Sequence, residues 1–135
     1  MIDNYCFTCL KIGDKFDAEY VNKLERMVRK QSDAPFFCFT DDPTGVEMPC
    51  IHMDDKEERD WDNWWPVWCK IKMFNAPELE EFDRKIFFDL DVIIHDDITK
   101  LLLHEHRSRR NTFSLIQSHW RGKAYQMANP TKSLF

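Results

Sequence analysis

A strand, a helix and a second strand follow one another within the first 40 residues, and that order leaves few folds open. Tyr5-Cys6-Phe7-Thr8-Cys9-Leu10 is a short apolar run suited to a buried strand, ended by the polar turn Lys11-Ile12-Gly13-Asp14-Lys15. Asp17 then stands where a helix N-cap belongs. Tyr20, Val21, Leu24, Met27 and Val28 recur at three- and four-residue steps, which predicts an amphipathic helix over 17–31. Pro35 precedes Phe36-Phe37-Cys38-Phe39-Thr40, a second buried strand closed by Asp41-Asp42-Pro43. Two apolar strands joined through a helix make a βαβ unit with a right-handed crossover. The expectation is an α/β fold with a mostly parallel sheet flanked by helices.

The rest of the chain is less regular. Residues 53–65 are polar and then tryptophan-rich, with Trp61, Trp64 and Trp65 after a run of charges, and read as an exposed loop. Pro66 suits the first turn of a helix over 66–75, with Val67, Ile71 and Phe74 on its buried face; Asn75-Ala76-Pro77 stops it. Lys85-Ile86-Phe87-Phe88 is the strongest strand and delivers Asp89-Leu90-Asp91 at its end. Val92-Ile93-Ile94 is expected to continue extended, and Asp97 to cap a short helix over Ile98–Leu103. Thr112–Ile116 is a further predicted strand, while 117–135 carries no clear period.

Composition narrows the function classes. A chain of 135 residues with 43% hydrophobic and 14% aromatic content is one domain's worth and can bury a core. The formal net charge of −5 argues against nucleic acid as a partner. Charge is unevenly placed: residues 1–99 hold 12 Lys/Arg against 23 Asp/Glu, whereas 100–135 hold 7 against 1. That basic tail could face a phosphate-bearing ligand or simply solvent. No apolar run approaches the ~18 residues of a membrane span, and the N-terminus lacks the positive charge of a signal peptide. Five cysteines, an odd number set mostly in apolar runs, suit small buried thiols in a reduced, cytoplasmic setting. Cys6 and Cys9 form a C-x-x-C, but residues three apart on a strand point to opposite faces, and no second pair follows at zinc spacing.

The chemistry concentrates at Asp89 and Asp91. In an open α/β sheet, ligands sit beyond the carboxyl ends of the strands. Two carboxylates placed there are costly unless a cation or ligand neutralises them. Mg²⁺ and Mn²⁺ take oxygen ligands and combine one or two carboxylates with substrate phosphates. Such an ion can neutralise a diphosphate leaving group when a sugar–phosphate bond breaks.

Phe87-Phe88-Asp89-Leu90-Asp91-Val92-Ile93-Ile94, followed by Asp97-Ile98, resembles the D-x-D segment of GT-A-fold glycosyltransferases, in particular the glycogenin-like and galactosyltransferase-like branch. Three further segments agree in order and spacing. Thr8 to Asp14 with Glu19–Leu24 resembles the first βα unit of that fold, and Phe39-Thr40-Asp41-Asp42-Pro43 the end of its second strand. Trp65 to Phe74 resembles the helix that presents a donor-phosphate lysine, with Lys70 in that place. The resemblance covers residues 5–103 and implies a Rossmann-like, GT-A-type sheet in a single nucleotide-sugar-binding domain, 1–135. It implies that Asp89 and Asp91 hold Mn²⁺ or Mg²⁺, and that Asp89 or the Leu90 backbone also touches the ribose. Lys70 would reach the diphosphate or sugar, Cys9 and Lys11 would lie under the nucleotide, and Asp41 near the base or ribose. The implied activity is transfer of a sugar from a nucleotide-diphosphate sugar to an acceptor that the sequence does not identify. Such enzymes continue well beyond this length, so the acceptor-side half is expected to be short or missing.

Two other readings stay open. One is a non-catalytic nucleotide-sugar-binding fragment. The other is a haloacid-dehalogenase-type phosphatase with Asp89 as nucleophile. Against the latter, that motif ordinarily opens its fold and is completed by later acidic residues, whereas only Glu105 is acidic beyond Asp97 here. The remaining features have ordinary explanations. The tryptophans Trp61, Trp64, Trp65 and Trp68 suit core packing or stacking on an acceptor sugar. His95, four residues after Asp91, is either a ligand or, if the strand continues, simply placed on the sheet's end. His104 and His106 flank a helix end, and Arg107-Ser108-Arg109-Arg110 is a solvated loop.

Overall fold

A computed structural model describes residues 4–53 and 69–102 of the chain. The contacts divide the chain into two units, Met1–Leu103 and His104–Phe135, and every element described below belongs to the first. The elements run β1 (Tyr5–Lys11), α1 (Ala18–Arg29), β2 (Phe36–Thr40), β3 (Cys50–His52), α2 (Cys69–Phe74), a 3₁₀ turn (Pro77–Leu79), β4 (Arg84–Phe87) and α3 (Thr99–Leu102). The four strands form one sheet in the order β3-β2-β1-β4, and every pairing is parallel. The α/β expectation therefore holds at the level of a parallel sheet with helices. The loop expected over 53–65, from residue 54 onward, the expected first turn of the 66–75 helix with Pro66 and Val67, and the expected strand at Thr112–Ile116 lie outside the described residues. Among the described residues no helix is long and apolar enough to cross a membrane.

Alternation along β1 divides the core into two layers. Phe7 and Cys9 face α1 and pack with Val21, Leu24, Val28, Phe36, Cys38, Met48, Phe88 and Leu90. Cys6 faces the opposite layer, with Ile12, Phe39, Met53, Met73, Leu79 and Phe82. The expected opposition of Cys6 and Cys9 is thus observed. Helix α1 begins where its sequence predicts, because the Asp17 carboxylate accepts the Glu19 amide at 3.0 Å. Tyr20, expected on the apolar stripe, is instead 45% exposed and stands edge-on to Phe16.

The link from β2 to β3 has no helix, though parallel strands usually need a long crossover. It returns through Val46 and Met48, which pack against the α1 layer. The buried Asn22 side chain fastens it, donating to the Gly45 carbonyl at 2.9 Å and accepting the Glu47 amide at 2.9 Å. Gly45 has φ of 78°, and a β-carbon there would meet Ala18 Cβ at 3.2 Å. The loop thus approaches α1 where a side chain would be both strained and crowded.

Three further details depart from the sequence-based expectations. Ile71, expected on the buried face of α2, is 58% exposed, and Met73 is fully buried in its place. The adjoining layer of Leu79, Phe82 and Met53 receives the helix on its Met73 side. Val92–Ile94 does not prolong β4: the Val92 amide bonds back to the Asp89 carbonyl at 3.2 Å, so the chain turns as Leu90 enters the α1 layer. Strand β3 had no sequence signal and forms by pairing Cys38 with Cys50 through Thr40 with His52.

Candidate functional site at the carboxyl end of the sheet

The order in which strands are added reverses at β1: β2 and β3 are laid down on one side of it, and β4, also parallel, on the other. Such a switch point opens a crevice beyond the carboxyl ends of the two strands. Three segments converge on that end of the sheet. They are Lys11 to Asp17 after β1, Asp41 to Thr44 after β2, and Asp89 to Asp91 after β4. The last registered pair of β1 and β4 is Thr8 with Phe87, which puts Lys11 and Asp89 just past the same edge.

On the β1–β2 side lies an open concavity of about 250 Å³, bordered among others by Lys11, Gly13, Phe16, Asp17, Asp42 and Thr44. Its walls are built by short polar bonds. Gly13, at φ 68°, donates its N–H to both Asp41 carboxylate oxygens at 3.2 and 3.3 Å. Thr40 Oγ1 donates to the Asp42 carbonyl at 2.9 Å and accepts the Asp42 amide at 3.1 Å. The Asp42 carboxylate accepts the Thr44 amide at 2.9 Å, and the bonds from Thr44 hold it below the usual carboxylate range. Lys11 is only 8% exposed, yet among the described residues its ammonium finds only the Asp42 carbonyl, at 3.5 Å. A nearly buried ammonium with one long contact favours an anionic group nearby.

On the β4 side, alternation sends Phe87 into the α2 layer and Phe88 into the α1 layer. Helix α2 places Lys70 over the Phe87 ring, with Nζ 5.1 Å from its centroid. The same ammonium meets Asp89 Oδ1 at 2.5 Å. Asp89 is exposed, with 54% of its side chain accessible. Leu90 is buried at 5% exposure, so the intervening residue anchors the motif in the core. Asp91 is exposed and makes no hydrogen bond or ion pair among the described residues. Asp97 accepts the Thr99 amide at 2.8 Å and begins α3, as its sequence predicts.

Of the site residues expected from sequence, Lys11, Asp41, Lys70, Asp89, Leu90 and Asp91 gather at this end of the sheet. Cys9 lies on β1 before this end. It is fully buried against α1, so its side chain belongs to the core. Sequence reading missed Gly13, Asp42 and Thr44. The glycine between Ile12 and Asp14 was the available sign, because a tight turn at a strand's carboxyl end needs positive φ.

Among the described residues no group of three or more His, Cys, Asp or Glu side chains is placed to hold a metal ion. Two exposed carboxylates on one turn remain a suitable partial donor set for a hard cation, which completes its shell with phosphate oxygens and water. Compared with family models, with curated proteins and with solved structures, the chain matches none.

Proposed function

We propose that this chain binds a nucleoside-diphosphate sugar, of the uridine or guanosine kind, across the carboxyl ends of β1 and β4, and that it serves a metal-dependent glycosyl transfer. The observation that carries the reading is the Lys70–Asp89 pair, 2.5 Å apart beside an Asp91 with no partner among the described residues. A cation and a carboxylate held side by side at a sheet's switch point offer opposite charges to a phosphate and to its counter-ion.

Each residue has a part in this reading. Lys70, carried on a helix and steadied by the Phe87 ring, supplies a compact positive charge to the diphosphate. Lys11 adds a second ammonium from β1. Asp89 and Asp91 would hold Mn²⁺ or Mg²⁺, and the bound ion would supply Lewis-acid neutralisation of the departing diphosphate. The concavity between Gly13 and Thr44 contains three aspartates to one lysine, which suits hydroxyl and amide donors of a ribose or base better than phosphate. Asp41 and Asp42, both already bonded to backbone amides, shape that wall.

The test is a donor screen by calorimetry on the full chain with Mn²⁺ present, followed by Lys70→Met. Losing a charge-assisted contact should weaken donor binding by roughly 1.5–3 kcal/mol, about one to two decades in dissociation constant. No binding of any uridine or guanosine diphosphate sugar would remove the proposal.

A further inference from the structure

Three of the five cysteines stand side by side on neighbouring strands. Cys9 on β1 is in register with Cys38 on β2, and Cys38 is in register with Cys50 on β3. Register partners share a face of the sheet, and Cys9 and Cys38 both lie in the α1 layer. The Cys38 thiol donates to the Phe39 carbonyl at 3.8 Å and the Cys50 thiol to the Met48 carbonyl at 3.4 Å. Access differs along the row: Cys9 and Cys38 are fully buried, whereas Cys50 is exposed.

This geometry selects the chemistry. Adjacent strands lie about 4.8 Å apart, so the outer two cysteines are separated by about twice that distance and cannot converge on one tetrahedral ion. Neighbouring pairs, by contrast, meet the backbone separation that a disulfide needs, about 4.4–6.8 Å between α-carbons. The exposed member is the one that an oxidant in solution reaches first. Its immediate neighbour is the one that can resolve it.

We propose that Cys38 and Cys50 are a cross-strand dithiol that peroxide-type oxidants convert to a disulfide, with Cys9 remaining a thiol behind them. In the first step Cys50, whose thiol is pushed up by partial burial and by Cys38 but which alone of the three is exposed, attacks a peroxide oxygen as its thiolate; the O–O bond breaks, and Cys50 becomes a sulfenic acid as hydroxide leaves. In the second, the Cys38 thiolate attacks the Cys50 sulfur, the S–OH bond breaks, and a second hydroxide departs; each hydroxide takes up a proton to give water. Two thiols are oxidised by two electrons and one peroxide is reduced. The Cys9 thiol, the Lys11 charge and the Lys11 backbone amide together favour the thiolate of Cys38 and lower its pKa. Cys9 itself is pushed well up, by hydrogen bonding with the Cys38 thiol and by burial, which suits a thiol that stays protonated. The bond would close the segment 38–50, the loop that carries Asp41, Asp42 and Thr44, and so would fix one wall of the concavity.

Treatment of the native chain with dilute hydrogen peroxide, followed by thiol counting and non-reducing peptide mapping, tests the proposal. The count should fall from five to three, with one link between the Cys38 and Cys50 peptides. Cys50→Ser should retain all four of its thiols against the same dose, and Cys69→Ser should still form the link. Unfolding in urea before oxidation should scatter the pairing, because register and not sequence spacing selects the partner. A Cys9–Cys38 link, a link through Cys6 or Cys69, or Cys50 over-oxidised beside an intact Cys38 thiol would each overturn the proposal.

Discussion

The two sides of the carboxyl end differ in how their carboxylates are satisfied. After β1 and β2, Asp41 takes the Gly13 amide, Asp42 the Thr44 amide and Asp17 the Glu19 amide. These carboxylates are occupied by the fold, and their bonds set the path of the loops. After β4, Asp89 is met by the Lys70 side-chain ammonium rather than by a backbone amide, and Asp91 by no partner among the described residues. A carboxylate bound to backbone amides is part of the scaffold, whereas an exposed one that faces only a side-chain charge is available to a ligand. Substitutions on the first side should therefore change stability, and those on the second should change binding.

The largest expected effect on stability belongs to Asn22, which closes the β2–β3 return. Asn22→Leu leaves the Gly45 carbonyl and Glu47 amide without their partner, a cost of about 2–3 kcal/mol. Chemical denaturation should show a lower midpoint at unchanged slope. A midpoint equal to that of wild type would mean that the loop is held by Val46 and Met48 packing alone. Next is Gly13→Ala, which forces a side chain into the left-handed region at φ 68° and should cost about 1–2 kcal/mol. Open space around that position excludes a clash as the cause. Lys70→Met, on the other side, should leave the denaturation midpoint within about 0.5 kcal/mol of wild type while weakening donor binding. A stability loss as large as that of Asn22→Leu would erase the distinction.

The smallest effect is one of pH. Asp42 has its folded pKa below the ordinary 3.8 because of the bonds from Thr44. A depressed carboxyl stabilises the fold above its unfolded pKa, and the contribution fades as pH falls through the lower folded value. The Thr44 amide resonance should therefore titrate with a midpoint below 3.8, and Asp42→Asn should abolish the transition. A midpoint at or above the ordinary value would show that the loop does not hold the carboxylate.

Much of the scaffold was legible because its signals are local. The Asp17 cap, the Val21-Leu24-Val28 stripe and the apolar Phe36–Thr40 run each specify an element without help from the rest of the chain. The parallel arrangement followed from the strand–helix–strand order. What failed depends on distant partners. Cys50–His52 is a strand only because β2 supplies its ladder. Six residues of α2 cannot reveal by periodicity that Met73, and not Ile71, meets Leu79 and Phe82. Lys70, Asp89 and Asp91 were legible as residue types, but the 2.5 Å pairing across nineteen positions was not. The Cys9-Cys38-Cys50 row was equally hidden, since it exists only in the register.

Donor binding by wild type and Asp91→Asn, each measured with Mn²⁺ and again in excess chelator, tests the central claim most directly. For wild type the account predicts tight binding of a nucleoside-diphosphate sugar in Mn²⁺ and a loss of at least tenfold in chelator. Asp91→Asn should keep its folding midpoint within about 0.5 kcal/mol and bind donor equally weakly under both conditions. Equal wild-type affinity with and without the metal would contradict the account, because the carboxylates after β4 would then have no cation to share with the phosphates.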